Sequence, residues 1–252
     1  MNRVKDFQEL ETRIVTWIKD YVTKNKLNSL VVGVSGGIDS AVVSTLCART
    51  GLPTYVLSMP LNSSSANDDL SDSYSNFLED NYENVTKIRV DLGKVYQSFM
   101  DSLDFWCGDG EYTKSGLANA NTKSRMRMLT WYKVAGTTGG IVVGTGNKVE
   151  DYGVGFYTKY GDGGVDIAPI ADLYKTEVWE LGKHLGVDQR IIDAPPTDGL
   201  WDDSRTDEDQ IGASYEDLEY AMEHGTGPAV RILHDYHAKN KHKMNPIPTF
   251  EL

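Results

Sequence analysis

A turn containing two glycines, placed between an apolar run and a helical pattern, constrains this chain more than any other feature. The run from Leu30 to Val34 is typical of a buried strand, and the pattern from Ala41 to Leu46 is typical of a helix. Between them lies Ser35-Gly36-Gly37-Ile38-Asp39-Ser40. Such a turn directs backbone N–H groups and the positive end of a helix dipole at one point. The sequence therefore predicts a phosphate-binding loop.

This loop differs from the common phosphate loop, which carries Gly-Lys-Ser/Thr at the start of its helix. Asp39 stands where that lysine would be. A carboxylate beside a polyphosphate requires a cation such as Mg²⁺ between them, so we interpret Asp39 as a metal ligand. The alternative is an acid that only complements the helix dipole. The loop resembles that of the ATP pyrophosphatases, enzymes that cleave ATP to AMP and pyrophosphate.

Composition limits the number of domains and the kinds of partner. The chain has 252 residues, of which 40% are hydrophobic, so we expect one α/β domain over residues 1–252. The net charge of -12 disfavours nucleic acid and anionic membranes as partners. The apolar runs are only as long as strands, and residues 1–10 do not resemble a signal peptide. We therefore expect a soluble, cytoplasmic protein.

The order of the elements predicts the fold. Strands are predicted at 30–34, 54–59, 85–90, 140–144 and 167–170, with helices between most of them. This alternation favours a parallel sheet with right-handed crossovers. We expect a single doubly wound, Rossmann-like α/β domain with a five-stranded parallel sheet flanked by helices, similar to the adenine nucleotide alpha hydrolases. In such sheets, ligands bind beyond the carboxyl ends of the strands.

Two further charged residues are candidates for the same site. Glu150 follows the fourth predicted strand, so it should approach Asp39 at the edge of the sheet and complete a pair of magnesium ligands. Each acid taken alone is also consistent with an ordinary surface residue. Lys175 falls in the first turn of a helix that we expect Asp172 to cap, where a cation opposes the helix dipole. Breaking that local rule marks Lys175 as a functional candidate that replaces the missing loop lysine.

Six motifs occur in the order found in ammonia-dependent NAD synthetases, and the resemblance covers nearly the whole chain. They are Ser35 to Ser40, Asn121-x-x-x-Arg125-x-Arg127, Gly144 to Lys148, Thr158 to Gly164, Leu173 to Glu177, and His242-Lys243. The resemblance implies ATP-dependent amidation of nicotinic acid adenine dinucleotide (deamido-NAD) to NAD through an acyl adenylate, releasing AMP and pyrophosphate. It implies free ammonia as the nitrogen donor, because the chain has no room for a glutaminase domain and no cysteine in a nucleophile-like setting.

The resemblance also implies roles for individual residues. ATP contacts are expected from Gly33, Val34, Ser35, Gly36, Gly37, Ile38, Asp39, Ser40, Thr145, Lys175 and Thr197. Deamido-NAD contacts are expected from Arg125, Lys159, Asp166, His242 and Lys243. Asp39 and Glu150 are the expected Mg²⁺ ligands, and Asp39 and Lys175 the expected catalytic residues. A homodimer whose interface contributes to the dinucleotide site is implied as well.

Two other functions are compatible with the loop. One is a different ATP pyrophosphatase-type ligase that adenylates a carbonyl oxygen, although such enzymes lack the motifs around Lys159 and Lys175. The other is a non-catalytic protein that binds adenine nucleotides, which would need no second carboxylate at Glu150. The first alternative predicts a different acceptor substrate, and the second predicts ATP binding without formation of pyrophosphate.

Overall fold

The computed structural model describes residues 3–61, 66–107, 115–197, 199–201 and 205–250. Its strands are β1 Leu30–Gly33, β2 Thr54–Ser58, β3 Val85–Arg89 and β4 Ile141–Val142. Its α-helices are α1 Phe7–Lys24, α2 Ile38–Arg49, α3 Ala66–Asn81, α4 Gly93–Cys107, α5 Gly116–Thr138, α6 Lys175–Leu185, α7 Gln189–Ile192, α8 Asp207–Ile211, α9 Tyr215–His224 and α10 Val230–Met244. A π-helix, Val149–Val154, lies between β4 and α6.

The sheet is parallel, and its strands lie in the order β3-β2-β1-β4. Strand β1 is central, since Val31 pairs with Tyr55 on one side and with Val142 on the other. The prediction of a parallel α/β sheet is confirmed, but the fifth strand predicted at 167–170 is wrong. There the chain forms a single parallel bridge, from Val143 to Ile167, before it turns. The described part of the sheet therefore has four strands instead of five.

Alternate residues of β1 enter two different cores, because side chains of a strand point to opposite faces of the sheet. Val32 packs in the core formed with α1, α2 and α6. Val31 packs on the opposite face, in the core that includes Leu57 and Ala135. Because both faces are covered, the central strand is apolar throughout, as is usual for parallel sheets. This explains the uninterrupted run of apolar residues in the sequence.

A third apolar cluster joins the π-helix to α9 and α10. Val149 and Val154 of the π-helix pack there with Tyr215 and Leu218 of α9 and with Leu233 of α10. The cluster therefore fixes the segment that follows β4 at the carboxyl edge of the sheet. None of the patterns in the sequence predicted this π-helix. Such helices are often found at functional sites.

Helix α6 begins later than the sequence predicted. Its N-cap is Tyr174, so the expected cap at Asp172 is wrong. The backbone N–H of Tyr174 donates to Oε2 of Glu177 at 2.9 Å, which fixes the start of the helix. Asp172 instead accepts a hydrogen bond from Nζ of Lys148 at 2.7 Å. Lys175 nevertheless lies in the first turn, as expected.

No described helix combines the length and the apolar content needed to cross a bilayer.

Candidate active site

The glycine turn after β1 is held in place by its own serines. Oγ of Ser40 donates to the carbonyl oxygen of Gly37 at 2.9 Å and accepts from the backbone N–H of Ser35 at 3.1 Å. Gly36 has a φ of 87°, a conformation that favours glycine because it lacks a Cβ. Gly37 is then the N-cap of α2. The turn therefore places the positive end of the α2 dipole at the end of the central strand.

A buried ion-pair cluster lies next to this turn. Nζ of Lys175 is 2.5 Å from Oδ2 of Asp39 and 3.0 Å from Oε1 of Glu150. The lysine side chain is only 2% exposed, and the two carboxylate side chains are 16% and 15% exposed. The expected proximity of Asp39 and Glu150 is therefore observed. Three separate elements, α2, the π-helix and α6, converge on one ammonium group.

The charges of the cluster reinforce one another. Burial alone would lower the pKa of Lys175, but the carboxylates of Asp39 and Glu150 outweigh burial and raise this pKa above its usual value. Burial raises the pKa of Glu150, while the positive charge of Lys175 opposes that rise. Lys175 therefore carries its proton at neutral pH.

Two neighbours hold the carboxylates in place. Nδ2 of Asn147 donates to Oδ1 of Asp39 at 3.0 Å. The hydroxyl of Tyr215 donates to Oε1 of Glu150 at 2.7 Å. Burial raises the pKa of Tyr215 well above its usual value, and the nearby carboxylates add to the rise, so this hydroxyl keeps its proton. Each acid is thus oriented by a donor in addition to Lys175.

Asp151, the residue after Glu150, is a further acid at this site. Burial raises the pKa of Asp151 to about 8, and the charges of Glu150, Asp162 and Asp39 contribute. Its carboxylate packs against Gly146, where an added Cβ would lie only 2.3 Å from Oδ1. A larger residue at position 146 would therefore displace this carboxylate. Near neutral pH, Asp151 is therefore mostly protonated.

One large cavity of about 810 Å³ contains the loop and the ion-pair cluster. Most of the residues selected from the sequence line it: Gly33, Val34, Ser35, Gly37, Ile38, Asp39, Ser40, Arg125, Thr145, Glu150, Lys159, Lys175, Thr197, His242 and Lys243. A volume of this size is at the upper end of that usual for small-molecule sites. The motifs, although far apart in sequence, therefore face one cavity.

Gly36 and Asp166 do not line this cavity. The role of Gly36 is to provide the turn itself, as its positive φ shows. Asp166 is exposed, and its carboxylate accepts hydrogen bonds from the backbone N–H of Val142 at 2.8 Å and from the hydroxyl of Tyr132 at 3.1 Å. It lies at the outer surface beside α5. The expected contact of Asp166 with a dinucleotide stays a prediction.

The basic residues of the cavity wall make local contacts. Nε of Arg125 donates to the carbonyl oxygen of Lys159 at 3.3 Å, which joins α5 to the loop after the π-helix. Nζ of Lys243 donates to the carbonyl oxygens of Gly155 and Tyr157 at 2.6 and 2.7 Å. Burial lowers the pKa of Lys243, while Asp162 acts in the opposite direction. Helix α10 is thereby anchored to the cavity wall.

The segment that contains Thr197 and Arg205 forms part of the cavity rim. Oγ1 of Thr197 donates to the carbonyl oxygen of Arg205 at 3.1 Å. Nζ of Lys123 donates to the carbonyl oxygen of Leu200 at 3.0 Å, which ties this segment to α5. Leu200, Trp201 and Arg205 face the cavity. Residues 198 and 202–204 lie outside the described part of the chain.

Sequence reasoning did not assign four residues of this site: Asn147, Asp151, Asp207 and Tyr215. Asn147 lies inside a motif already selected, and Asp151 follows Glu150, so both had a local signal. Tyr215 and Asp207 had none, because their contacts reach residues distant in sequence. The hydroxyl of Tyr215 also lies 3.2 Å from Oδ2 of Asp207.

Asp39 and Glu150 supply carboxylate oxygens, the kind of ligand that a small divalent cation takes. The ammonium of Lys175 lies between them, at the point on which one oxygen of each carboxylate converges. Within the described ranges, no group of three or more His, Cys, Asp or Glu side chains has metal-binding geometry. Mg²⁺ commonly uses only one or two carboxylates and takes its other ligands from water and substrate phosphates. A pair of acids beside a phosphate loop is therefore a suitable donor set.

Comparison with known proteins gives consistent results. The model of the NAD synthase family matches residues 10–244. The NH(3)-dependent NAD(+) synthetase of Carboxydothermus hydrogenoformans is 36% identical over 94% of this chain and 95% of its own length. The structure of NMN synthetase from Francisella tularensis superimposes with a TM-score of 0.88 at 30% identity, covering 99% of this chain and 100% of that one. The NH3-dependent NAD synthetase of Campylobacter jejuni gives a TM-score of 0.75 at 26% identity, covering 98% and 100%.

The double substitution Asp39→Asn with Glu150→Gln tests the ion-pair cluster. It removes both ion-pair partners of a buried ammonium, so we expect the free energy of unfolding to fall by about 3–5 kcal/mol. Each single substitution leaves one carboxylate and should cost much less. Urea unfolding followed by circular dichroism measures the difference. The matched control adds Lys175→Met to the double variant, which removes the uncompensated charge and should restore most of the lost stability. A double variant as stable as the wild-type protein would contradict this account.

Proposed function

The chain belongs to the NAD synthase family, and from this membership and its site we propose that it is an ammonia-dependent NAD synthetase, a ligase that forms a carbon–nitrogen bond. The substrates proposed are ATP, deamido-NAD and ammonia. The observation that carries the proposal is the cluster of Lys175, Asp39 and Glu150, which lies inside the cavity that most of the family motifs line. A cytoplasmic location stays a prediction.

The reaction needs little covalent chemistry from the protein. A carboxylate oxygen of the substrate attacks the α-phosphorus of ATP, and the bond to pyrophosphate breaks. Ammonia then attacks the carbonyl carbon of the acyl adenylate, and the bond to AMP breaks as a proton is lost. Alignment and charge neutralisation are the main contributions an enzyme makes to such steps. The chain supplies them without a protein nucleophile.

Individual residues have clear tasks in this proposal. Backbone N–H groups of the turn from Ser35 to Gly37, together with the α2 dipole, bind the phosphates. The ammonium of Lys175 neutralises charge that develops as pyrophosphate leaves. Because Asp39 and Glu150 keep Lys175 protonated, this side chain does not have to take up a proton before it can act. Thr145 and Thr197 line the same cavity and are the proposed further ATP contacts.

We propose Mg²⁺ as the cation held by Asp39 and Glu150. Bound there, it would supply charge neutralisation for the triphosphate, which the excess negative charge of the two carboxylates would otherwise repel. Asn147 keeps Asp39 oriented, so its carboxylate is fixed before any ligand enters.

We also propose a homodimer formed through α4 and α5. These helices expose large apolar side chains: Val95 and Phe99 on α4, and Leu129 and Tyr132 on α5. Asp166 lies beside Tyr132 and outside the cavity of its own chain. A second subunit covering α5 would bring this acid towards the partner's dinucleotide, consistent with a site that both subunits form.

A second candidate is the amidation that yields NMN, in which the acceptor is a mononucleotide. The observation that favours it is the structural comparison, since the Francisella NMN synthetase superimposes more closely than the Campylobacter NAD synthetase. Both products contain the same amide, so the chemistry at Lys175 would not change. The two candidates differ only in whether the acceptor carries an adenylate half.

The purified protein should convert ATP, deamido-NAD and ammonium to NAD and AMP in equal amounts when Mg²⁺ is present. Chromatography of the nucleotides measures both products. Parallel reactions with nicotinic acid mononucleotide compare the two acceptors by their kcat/KM values, and a larger value for the mononucleotide would favour the second candidate. Glutamine should not replace ammonium, because no cysteine nucleophile lines the described cavity. Formation of pyrophosphate without either amide product would contradict both candidates.

The substitution Arg125→Ala tests the proposed dinucleotide contact. We expect the KM for deamido-NAD to rise about tenfold or more while the KM for ATP changes little, since charge-assisted contacts contribute about 1.5–3 kcal/mol. Initial rates at varied concentrations of each substrate give the two values. The KM for ATP is the internal control, and equal increases in both KM values would assign Arg125 to a structural role.

Sedimentation equilibrium tests the proposed dimer. We expect the mass of two chains, that is, twice 28.0 kDa. Phe99→Glu places a charge on the exposed face of α4 and should shift the protein towards a monomer, while Phe77→Glu, also exposed but on α3, is the matched control. Wild-type protein that sediments as a monomer at micromolar concentration would exclude the dimer.

A further inference from the structure

Tyr215 contacts three charged residues of the site although it lies in a different part of the chain. It is fully buried in the first turn of α9. Its hydroxyl is 2.7 Å from Oε1 of Glu150 and 3.2 Å from Oδ2 of Asp207. Nζ of Lys175 lies 4.8 Å from the centre of its ring. One side chain therefore contacts two acids through its hydroxyl and the ammonium group through its ring.

The surroundings fix this side chain firmly. Its backbone N–H donates to Oε1 of Glu208 at 3.0 Å, and Ser214 caps the helix that it begins. Its ring meets that of Trp179 edge to face, with centroids 6.1 Å apart. Aromatic pairs of this kind stabilise one orientation of the ring. The position of the hydroxyl is thus set by packing, independently of Glu150.

The hydroxyl has one proton, and the shorter contact identifies Glu150 as its acceptor. Oε1 of Glu150 then receives hydrogen bonds from both Tyr215 and Lys175. Among the residues that the structure describes, no donor is recorded for Oε2 of Glu150. A carboxylate fixed through one oxygen keeps the other available to a cation. Groups behind a metal ligand act in this way in other metal sites.

We propose that Tyr215 is a positioning residue for the amidation reaction: its hydroxyl orients Glu150 towards the metal site, and its ring supports Lys175. This inference rests on the proposed function, in which Glu150 binds Mg²⁺. Tyr215 itself touches neither substrate nor metal in this role. The contact with Asp207 links the same hydroxyl to the cavity rim, because the N–H of Asp207 donates to the carbonyl oxygen of Pro196 at 2.9 Å.

The test is Tyr215→Phe, which removes the hydroxyl but keeps the ring contacts with Trp179 and Lys175. Mn²⁺ is titrated with the protein, and the signal of free Mn²⁺ is followed by electron paramagnetic resonance. We expect the affinity for Mn²⁺ to fall by about 10- to 100-fold, the range found when a group behind a metal ligand is removed. In turnover, the Mg²⁺ requirement should rise and kcat should fall, while the KM for deamido-NAD stays near the wild-type value.

Two further variants make the result decisive. Tyr74→Phe removes another buried tyrosine hydroxyl, whose partner is Oγ1 of Thr45 at 2.7 Å, from the core outside the cavity. It should leave Mn²⁺ affinity and Mg²⁺ requirement unchanged. Glu150→Gln should weaken Mn²⁺ binding at least as much as Tyr215→Phe does.

The outcomes separate the inference from the proposed function. Normal Mn²⁺ affinity and normal Mg²⁺ requirement in Tyr215→Phe, with both impaired in Glu150→Gln, would overturn the role of Tyr215 and leave the metal site intact. Normal values in both variants, or no Mn²⁺ binding by the wild-type protein, would overturn the metal site as well. Equal impairment in Tyr74→Phe would mean that loss of any buried hydroxyl disturbs the site, and would also overturn the inference.

Discussion

The interaction on which the site depends is the burial of one ammonium group between two carboxylates. Removing a charge from water is expensive, and a buried ion pair recovers that cost only with good geometry and further hydrogen bonds. Lys175 meets these conditions, because Asp39 and Glu150 lie at 2.5 and 3.0 Å and each acid has a second donor. The elements that carry these groups are therefore constrained to one arrangement. The glycine turn at the start of α2, the helix that carries Asp39, is constrained with them.

A helix N-terminus is an unfavourable place for a lysine, since the dipole there is positive. Acceptors at the start of α6 offset this, one from α9 and one from α6 itself. The backbone N–H of Thr176 donates to Oε1 of Glu219 at 2.9 Å, and the N–H of Tyr174 donates to Glu177. Arg3 in turn forms an ion pair with Glu219 at 2.9 Å. The start of the chain and α9 thus help to hold Lys175 where its charge is useful, at a position that its own helix disfavours.

The sequence was most informative where local spacing determines the structure. The β1–loop–α2 unit could be predicted from a few consecutive residues. An apolar run, two glycines and a helical period indicate a strand, a tight turn and a helix in that order. The segment at 167–170 has the apolar character of a strand, yet only Ile167 pairs, so residue type alone misled the prediction. The cap of α6 was misplaced because Asp172 is a residue type that often caps helices. In the structure the N-cap is Tyr174, whose backbone N–H donates to Glu177. The role of Tyr215 could not be predicted from the sequence, because its partner Glu150 lies 65 positions away.

The difference between local motifs and contacts distant in sequence also explains how the site is built. Residues proposed to bind the phosphates lie on turns at the carboxyl ends of strands, where parallel sheets bind ligands, and these residues can be recognised from their motifs. Of the groups that orient Asp39 and Glu150, Asn147 lies inside a motif, whereas Tyr215 comes from α9, which reaches the site through the apolar cluster around the π-helix. That cluster packs Tyr215 against Val149 and Val154, on either side of Glu150 in the chain. Packing in the apolar cluster therefore determines the geometry of the polar site, and a change in this cluster would reach Glu150 without altering any residue of the six motifs.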